Sequence, residues 1–276
     1  MIGTKRYTLF LTLVSLTFII FLSSTFLQDV LLIEEKAEAK TIESAVEESK
    51  IRTHSTKIIN ITYKEIHEFK STDPHLYLTF DDGPTRHTEP ILDILNQNGI
   101  KSTFFMLQGN INKFPEIVRS VKNGSHSLAC HGVTHKVDQF YANDVAPVNE
   151  MDLCNEAIQT VVGEKISLIR VPFGSFPHLT LKQKTNLDGA GYIMWDWNVD
   201  SMDWGPKNQS PDQLVNTVIK QVSDLKEKDI VPVILLHDTE ITVKALPTII
   251  TKLSEMGYSF RAITTNDKPL QFKIKN

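Results

Sequence analysis

The sequence has little net charge and few cysteines, and it lacks the motif of a nucleotide-binding fold. Its 29 lysines and arginines stand against 33 aspartates and glutamates, a formal net charge of −4. There is therefore no electrostatic case for binding nucleic acid. No Gly-x-Gly-x-x-Gly follows the first chemistry-bearing strand, so a dinucleotide site would lack its phosphate cradle. The apolar content is ordinary for a globular protein, which excludes disorder for most of the chain.

The two cysteines, Cys130 and Cys154, leave their own state open. In an exported chain a disulfide between them is permitted. Cys130 also adjoins His131, so a free buried thiol or a rare metal ligand is an equally good interpretation.

The N-terminal residues differ from the rest of the chain. Lys5 and Arg6 precede an uncharged run from Tyr7 to Gln28, which is long enough to span a bilayer. The basic flank predicts a cytoplasmic N-terminus and an exported body. A signal peptide is the alternative, but the only good cleavage pattern, Ala37–Ala39, lies far beyond the run, which favours an uncleaved anchor.

These features predict three regions. Residues 1–28 form a signal anchor or signal peptide, 29–57 a charged spacer, and 58–276 the functional domain. The expected location is the cell membrane, with a single pass and an extracellular domain, or the secreted fraction.

The stretch Leu76–Pro84 joins a predicted strand to a pair of carboxylates. Leu76–Phe80 is mostly apolar without clean alternation, which is typical of a buried parallel strand. The following Gly-Pro should end it. Asp81 and Asp82 then lie at the carboxyl end of a strand, where α/β enzymes place reactive groups. An acidic turn that caps the next helix is the plainer interpretation.

Apolar runs alternate with helix-like stretches about seven times in the body of the chain. Strands are predicted at Ile58–Tyr63, Leu76–Phe80, Thr103–Leu107, Ser127–Cys130, Ser167–Val171, Tyr192–Trp197, Val231–Leu236 and Tyr258–Thr264. Helices are predicted at Glu89–Asn98, Phe114–Lys122, Pro147–Val162, Leu179–Leu187, Pro211–Leu225 and Val243–Met256. The alternation favours a parallel α/β barrel, closed or partly closed, over an open doubly wound sheet.

Reactive side chains follow several of these strands. They are Asp81, Asp82, His131, His135, Arg170, Asp200, Asp203, Trp204, His237 and Asp238. Because the carboxyl ends of barrel strands converge on one face, we expect these residues to share one site.

His131 and His135 form an H-x₃-H pair. On one helical turn, two imidazoles at this spacing face the same side and can share a metal. A carboxylate would complete a two-His-one-carboxylate set with open positions for water and substrate. Zn²⁺ is the expected ion, and Co²⁺ or another divalent ion is the alternative. Histidines packed in a polar loop would need no metal.

Five motifs, in chain order, resemble those of the NodB-like polysaccharide deacetylases, carbohydrate esterase family four. They are T-F-D-D-G-P at Thr79–Pro84, H-x₃-H at His131–His135, R-V-P-F-G at Arg170–Gly174, D-S-M-D-W at Asp200–Trp204 and L-L-H-D at Leu235–Asp238. Each is modest alone, but five in order are highly specific. The resemblance covers about residues 73–264 and implies a distorted (β/α)₇ barrel.

The resemblance also implies a role for each matched residue. Asp82 would be the carboxylate ligand of the metal, with His131 and His135 as the other ligands. Asp81 would be the general base that takes a proton from the attacking water. Arg170 would pair with Asp81 and keep it ionised and oriented.

The remaining roles concern the leaving group and the acetyl group. His237 would be the general acid for the departing amine, held in its charged form by Asp203. The backbone N–H of Phe173 would stabilise the oxyanion. The pocket for the acetyl methyl would be walled by Trp204, Leu235 and Leu236. A base and an acid with opposite partners is the expected device for separating their pKa values.

The sequence departs from the family pattern at three positions. Gly132 stands where Ser or Thr normally follows the first metal histidine, Cys130 where Asn is common, and Phe173 where Tyr is frequent. None of these removes a ligand, base or acid, so activity is expected. Trp195 and Trp197 flank one strand and fit either the core or a sugar-stacking role.

The expected function is a metal-dependent hydrolase that removes N-acetyl groups from an amino-sugar polymer and releases acetate. An exported, anchored enzyme meets its own cell wall first, so peptidoglycan N-acetylglucosamine is the first expected substrate, ahead of chitin oligomers and exopolysaccharide. The expected partners are this glycan and, through the N-terminal segment, the membrane. One rival is an O-acetyl esterase for xylan or wall sugars. The other is a non-catalytic glycan-binding protein, which should show damaged catalytic positions.

Overall fold

The computed structural model describes residues 74–205 and 209–274. The predicted N-terminal segment, the spacer and the predicted strand Ile58–Tyr63 lie outside the described residues. Within the described ranges, no helix is long and apolar enough to cross a membrane.

Strands and helices alternate along most of the described chain. The strands are β1 (His75–Gly83), β2 (Thr103–Met106), β3 (Ser127–Cys130), β4 (Leu168–Ile169), β5 (Ile193–Met194), β6 (Val199–Asp200), β7 (Val233–His237) and β8 (Ser259–Arg261). The helices are α1 (Thr88–Gln97), α2 (Gln108–Lys113), α3 (Pro115–Asn123), α4 (Val137–Phe140), α5 (Ala146–Val162), α6 (Leu181–Gly189), α7 (Pro211–Lys226) and α8 (Glu240–Glu255).

The described strands pair in parallel in a single sheet. Its order is β5-β4-β3-β2-β1-β7-β6, and β8 pairs separately with the start of β1. These strands and the helices between them form a half-barrel, which confirms the predicted parallel α/β class. Because the strands run the same way, the residues that follow them are delivered to one end of the sheet.

Short elements are where the structure departs from the sequence prediction. Strand β6 has two residues, α2 has six and α4 has four. Segments of this length are too short to show a periodic pattern. By contrast, the predicted start of α7 is confirmed: the Ser210 hydroxyl caps the helix by accepting the Gln213 amide, and Pro211 occupies the first turn.

Both faces of β1 are buried, each against a different apolar cluster. Its even-numbered residues from Leu76 to Phe80 join a large cluster that includes helix residues. Tyr77 faces the other way, into a smaller cluster that contains Trp195. This two-sided burial explains why the sequence of β1 does not alternate. Trp195 is fully buried, so of its two interpretations the core one is confirmed.

A disulfide joins the end of β3 to helix α5. Cys130 and Cys154 are bonded, with their Cα atoms 5.9 Å apart. Cys130 is therefore neither a free thiol nor a metal ligand. The bond ties down the backbone that immediately precedes His131.

Candidate active site

The end of β1 is irregular, and this irregularity brings two adjacent carboxylates to one side. In a regular strand, neighbouring side chains point to opposite faces. Here the register with β2 shifts between Asp81 and Gly83, and Asp82 has a left-handed φ of 68°, as in a β-bulge. As a result, Asp81 Oδ2 and Asp82 Oδ1 lie 3.7 and 3.6 Å from one atom, His131 Nε2.

Asp82, His131 and His135 form a compact group of possible metal ligands. One ligand atom from each residue lies within 4.8 Å of the others. Asp82 Oδ1 is 3.6 Å from His131 Nε2 and 3.4 Å from His135 Nε2. It is buried and has no hydrogen-bond partner among the described residues. A buried carboxylate oxygen without a hydrogen-bond partner, next to two imidazole nitrogens, is an arrangement suited to binding a cation.

The hydrogen bonding of His131 presents its Nε2 atom to this group. Its Nδ1 lies 2.7 Å from the Arg170 carbonyl oxygen, which accepts the Nδ1 proton and leaves the lone pair on Nε2. Burial, opposed by the charge of Asp82, lowers the pKa of His131 to about 3. The imidazole is therefore neutral, as a metal ligand must be.

Asp81 and Arg170 form a buried ion pair beside the ligand group. Arg170 Nη1 donates to Asp81 Oδ1 at 2.8 Å and to the Thr79 hydroxyl at 2.8 Å. Arg170 also donates to the carbonyls of Trp195 and Asp196, at 3.2 and 3.0 Å. Burial raises the pKa of Asp81, and the charge of Arg170 works against that rise. Asp81 is thereby oriented by Arg170 and is more basic than an exposed aspartate.

His237 and Asp203 form the second charged pair. His237 lies directly opposite Asp81 in the pairing of β1 with β7. Asp203 Oδ1 is 2.7 Å from His237 Nδ1, and Asp203 Oδ2 accepts the His237 amide at 2.7 Å and the Thr242 hydroxyl at 2.5 Å. Burial disfavours the charged imidazole, but the hydrogen bond and charge of Asp203 outweigh it, and the pKa of His237 is raised to about 9.

Comparisons with known proteins agree with this arrangement. A family model described as polysaccharide deacetylase matches residues 69–190. The putative polysaccharide deacetylase YheN of Bacillus subtilis is 40% identical over 200 residues, which are 72% of this chain and 70% of the relative. The chain belongs to the polysaccharide deacetylase family. The resemblance found in the five motifs is thus confirmed.

Two further relatives place the family in a biochemical and a structural context. A peptidoglycan-N-acetylglucosamine deacetylase of Bacillus cereus is 35% identical over 191 residues, 67% of this chain and 68% of the relative. The crystal structure of the polysaccharide deacetylase Bc1974 from Bacillus cereus superposes with a TM-score of 0.67 at 33% identity. It covers 72% of this chain and 97% of that one.

The turn after β4 carries the residue expected to stabilise the oxyanion in this polysaccharide deacetylase. Phe173 has a left-handed φ of 64°, and its amide has no acceptor within residues 74–205 and 209–274. Its ring is half exposed and lies 4.5 Å from the His135 ring, measured between centroids. The residue with this unpaired amide therefore lies directly beside the ligand group.

The predicted acetyl pocket is assembled only in part. Leu235 pairs in register with Thr79, whose hydroxyl contacts Arg170, so Leu235 faces the site. Leu236 pairs with Phe80 and is buried with it in the cluster that packs against the helices. Trp204 is 57% exposed, and its indole N–H donates to Asp200 Oδ1 at 3.2 Å. Since neighbouring residues of a strand alternate in direction, only one of the two leucines can line the pocket.

Sequence reasoning missed two buried carboxylates that hold the reactive loops of this family member, Glu150 and Asp196, and it named a third, Asp238, without a role. Glu150 on α5 accepts the amides of Val133 and Thr134, at 2.9 and 3.0 Å, and thereby holds the H-x₃-H loop. Asp196 accepts the Ser175 amide at 2.9 Å in the turn that carries Phe173.

Asp238 is the third of these carboxylates and supports the turn after β1. Its Oδ2 accepts a hydrogen bond from the Thr88 hydroxyl, and its carbonyl accepts one from the Thr85 hydroxyl at 3.0 Å. A Cβ atom on Gly83 would lie only 2.4 Å from Asp238 Oδ2, so this position requires glycine. Asp238 follows His237 in the fifth motif, but it is the only one of the three that lies in any motif.

Proposed function

We propose that this chain is a metal-dependent N-deacetylase of cell-wall glycan, which removes acetyl groups from peptidoglycan N-acetylglucosamine. The observation that carries the proposal is the position of His237, opposite Asp81 in adjoining strands and within the electrostatic influence of Asp81 and Asp82. Hydrolysis of an amide needs a base for the water and an acid for a poor leaving group. These two residues supply both, a short distance apart.

The donor set fits a small divalent cation such as Zn²⁺. In a tetrahedral zinc site with bonds of about 2.0–2.1 Å, the ligand atoms lie about 3.4 Å apart. Asp82 Oδ1 is 3.4 and 3.6 Å from the two imidazole nitrogens, and it has no other partner in the described chain. Asp82, His131 and His135 would hold the ion, which when bound would polarise the acetyl carbonyl and lower the pKa of water.

The other side chains divide the proton transfers between them. Asp81 takes the proton of the attacking water, while Arg170 fixes the orientation of its carboxylate. The Phe173 amide donates to the oxygen of the acetyl carbonyl as negative charge develops there. His237, protonated below pH about 9, donates a proton to the departing amine. An alcohol leaves more readily than an amine, so a protonated acid at this position favours N-acetyl over O-acetyl substrates.

The substrate and location rest on two supports. The Bacillus cereus relative is named a peptidoglycan-N-acetylglucosamine deacetylase, and peptidoglycan is outside the cytoplasm. The disulfide between Cys130 and Cys154 suits an oxidising compartment. With the apolar run from Tyr7 to Gln28, this supports a single-pass membrane protein with an extracellular domain, or a secreted one.

The test is acetate release from purified peptidoglycan by the purified full-length protein. The assay is run with Zn²⁺, with a chelator, and with the variants Asp81→Asn and Asp224→Asn. Asp224 is an exposed carboxylate on α7 that pairs with Lys220, and it serves as the matched control. We expect release that requires both the metal and Asp81 and that Asp224→Asn leaves unchanged.

Two outcomes would contradict the proposal. Release from acetylated xylan but not from peptidoglycan or chitin oligomers would indicate an O-acetyl esterase. No release from any of these by the folded, zinc-loaded protein would indicate a glycan-binding protein.

A further inference from the structure

The turn that carries Phe173 has a backbone that needs outside support. Phe173 and Gly174 are consecutive left-handed residues, with φ of 64° and 78°. A bulky residue rarely adopts this conformation and keeps it only when its surroundings enforce it. On one side, the Tyr141 hydroxyl contacts the carbonyls of Pro172 and Gly174, at 2.7 and 3.1 Å.

Asp196 supports the other side of this turn. It is fully buried. Its Oδ1 accepts the Ser175 amide at 2.9 Å, and its Oδ2 accepts the Ser175 hydroxyl at 2.6 Å. Its own carbonyl accepts Arg170 Nη2 at 3.0 Å. One residue therefore contacts both the oxyanion turn and the arginine that orients Asp81.

The end of the described chain completes this support. The Asp196 amide donates to the Leu270 carbonyl at 2.7 Å, and Asp196 Oδ2 accepts the Phe272 amide at 2.7 Å. The Phe272 ring packs edge-on against Trp197, 5.0 Å between centroids. A Cβ atom on Gly174 would lie 2.8 Å from Trp197 and 2.9 Å from Phe272. The aromatic pair thus closes directly on the turn.

We propose that Asp196 is a positioning residue which, together with the Leu270 carbonyl and Phe272, aims the Phe173 amide at the oxyanion. This inference rests on the proposed deacetylase function. Asp196 does not touch the substrate: it acts by fixing Ser175 and Phe272 on either side of the turn. Leu270 and Phe272 accordingly help to position the turn, although they lie far beyond the last motif.

The test compares Asp196→Asn with Gln271→Ala. Asparagine has the same shape, but its amide nitrogen cannot accept the hydrogen bonds that Asp196 receives from Ser175 and Phe272. Gln271 lies between Leu270 and Phe272, and its side chain donates to the Met194 carbonyl at 2.9 Å. For Asp196→Asn we expect kcat on peptidoglycan to fall about 10- to 100-fold, with KM changed less than about twofold and zinc content unchanged. Gln271→Ala should retain wild-type kcat.

A second arm does not depend on activity. Hydrogen–deuterium exchange of the Gly174 amide, which donates to the Val171 carbonyl at 3.1 Å within the turn, should accelerate in Asp196→Asn and, to a smaller extent, in Phe272→Leu, which keeps the amide of residue 272 but removes the ring. If Asp196→Asn does not fold, Phe272→Leu serves for the kinetic arm too. Unchanged exchange in this turn, or a fall in kcat that follows a loss of zinc, would overturn the positioning role. An inactive wild-type protein would refute the proposed function, and the exchange arm would still decide the role of Asp196.

Discussion

The two proton-transfer sides of the site are built from the same kinds of groups in opposite order. On the base side, a cation, Arg170, holds a carboxylate, Asp81, which faces the reaction. On the acid side, a carboxylate, Asp203, holds a cation, His237, which faces the reaction. In each pair the supporting member is the more thoroughly hydrogen-bonded one: Arg170 donates to four acceptors and Asp203 accepts from three donors.

This difference shows how the reactive member of an ion pair can be recognised. A group whose hydrogen-bonding capacity is taken up by the fold cannot also exchange protons with a substrate. Asp81 Oδ2 and the second nitrogen of His237 are the atoms that remain available. Four predictions test this difference between the two pairs, in decreasing order of expected effect.

The largest effect should separate the base from the acid by their leaving groups. Asp81→Asn should lower kcat by about 10²- to 10⁴-fold on both N-acetyl and O-acetyl glycans, because both need an activated water. His237→Gln should lower kcat as much on the N-acetyl glycan but far less on an acetyl ester, whose alcohol needs little protonation. Acetate release from matched peptidoglycan and acetylated xylan measures both. An equal loss on the two substrates in His237→Gln would contradict its role as the acid.

Replacing Arg170, the supporting residue of the base-side pair, should lower the stability of the fold. Arg170→Lys keeps the charge, but one ammonium cannot reach all four acceptors, so buried carbonyls lose their partner. We expect the free energy of unfolding to fall by about 2–4 kcal/mol. Chemical denaturation measures this change, with Arg119→Lys on the exposed face of α3 as the matched control. A stability equal to that of the control would show that Arg170 is not the structural member of its pair.

The support on the acid side should set the alkaline limit of activity. The pKa of His237 is raised to about 9, so the acid is charged below that pH and kcat should fall as pH rises through about 9. Without the charge of Asp203, in Asp203→Asn, the limit should move down toward about 6.5, the ordinary histidine value. At pH 8 this corresponds to a loss of about 30-fold.

The pH–rate profile of Asp200→Asn provides the control for this shift. Asp200 lies in the same motif but contacts Met202 and Trp204 rather than His237. The kcat of Asp200→Asn is not constrained by this prediction, but the pH at which its activity falls should be that of the wild type. A limit that moves equally in both variants would mean that Asp203 does not control the protonation of His237.

The smallest effect concerns the proposed metal ligands Asp82, His131 and His135. Glu150→Gln should weaken the hold on the H-x₃-H loop and reduce zinc affinity by about tenfold, as is usual for residues that support metal ligands. Zinc titration against a competing chelator measures it. Glu156→Gln, on the exposed face of the same helix, should bind zinc as the wild type does. Equal affinities in the two variants would assign the loop's stability to the disulfide instead.

The sequence predicts the reacting groups of this site better than their supports. Asp81, His131 and His237 are predicted because they end apolar runs, and parallel strands deliver run ends to one place. Glu150 and Asp196 could not be found this way, because they hold backbone amides 16 to 21 residues away in the chain. No local pattern of residue types records a partner at that separation.

Two further details of the fold concern the direction of side chains at the ends of β1 and β7. The bulge at Asp82 is not recorded by the pattern of apolar residues, since β1 is buried on both faces and its residues do not alternate. In contrast, alternation along β7 does predict that Leu236 points away from the site and toward the helices, once Leu235 is assigned to the site. Alternation therefore separates the two leucines, whereas it does not indicate that Asp82 lies on the same side as Asp81.

The bulge at the end of β1 has a consequence for how the site responds to motion. Because the proposed base and one proposed metal ligand, Asp81 and Asp82, are consecutive residues, the distance between their Cα atoms is set by bonded geometry rather than by packing between strands. Small displacements of β3, β4 or β7 would carry the histidines and the arginine with them, yet leave this one spacing unchanged. The spacing of these two residues is thus constant, and motions of the fold change only the positions of the histidines and the arginine relative to them.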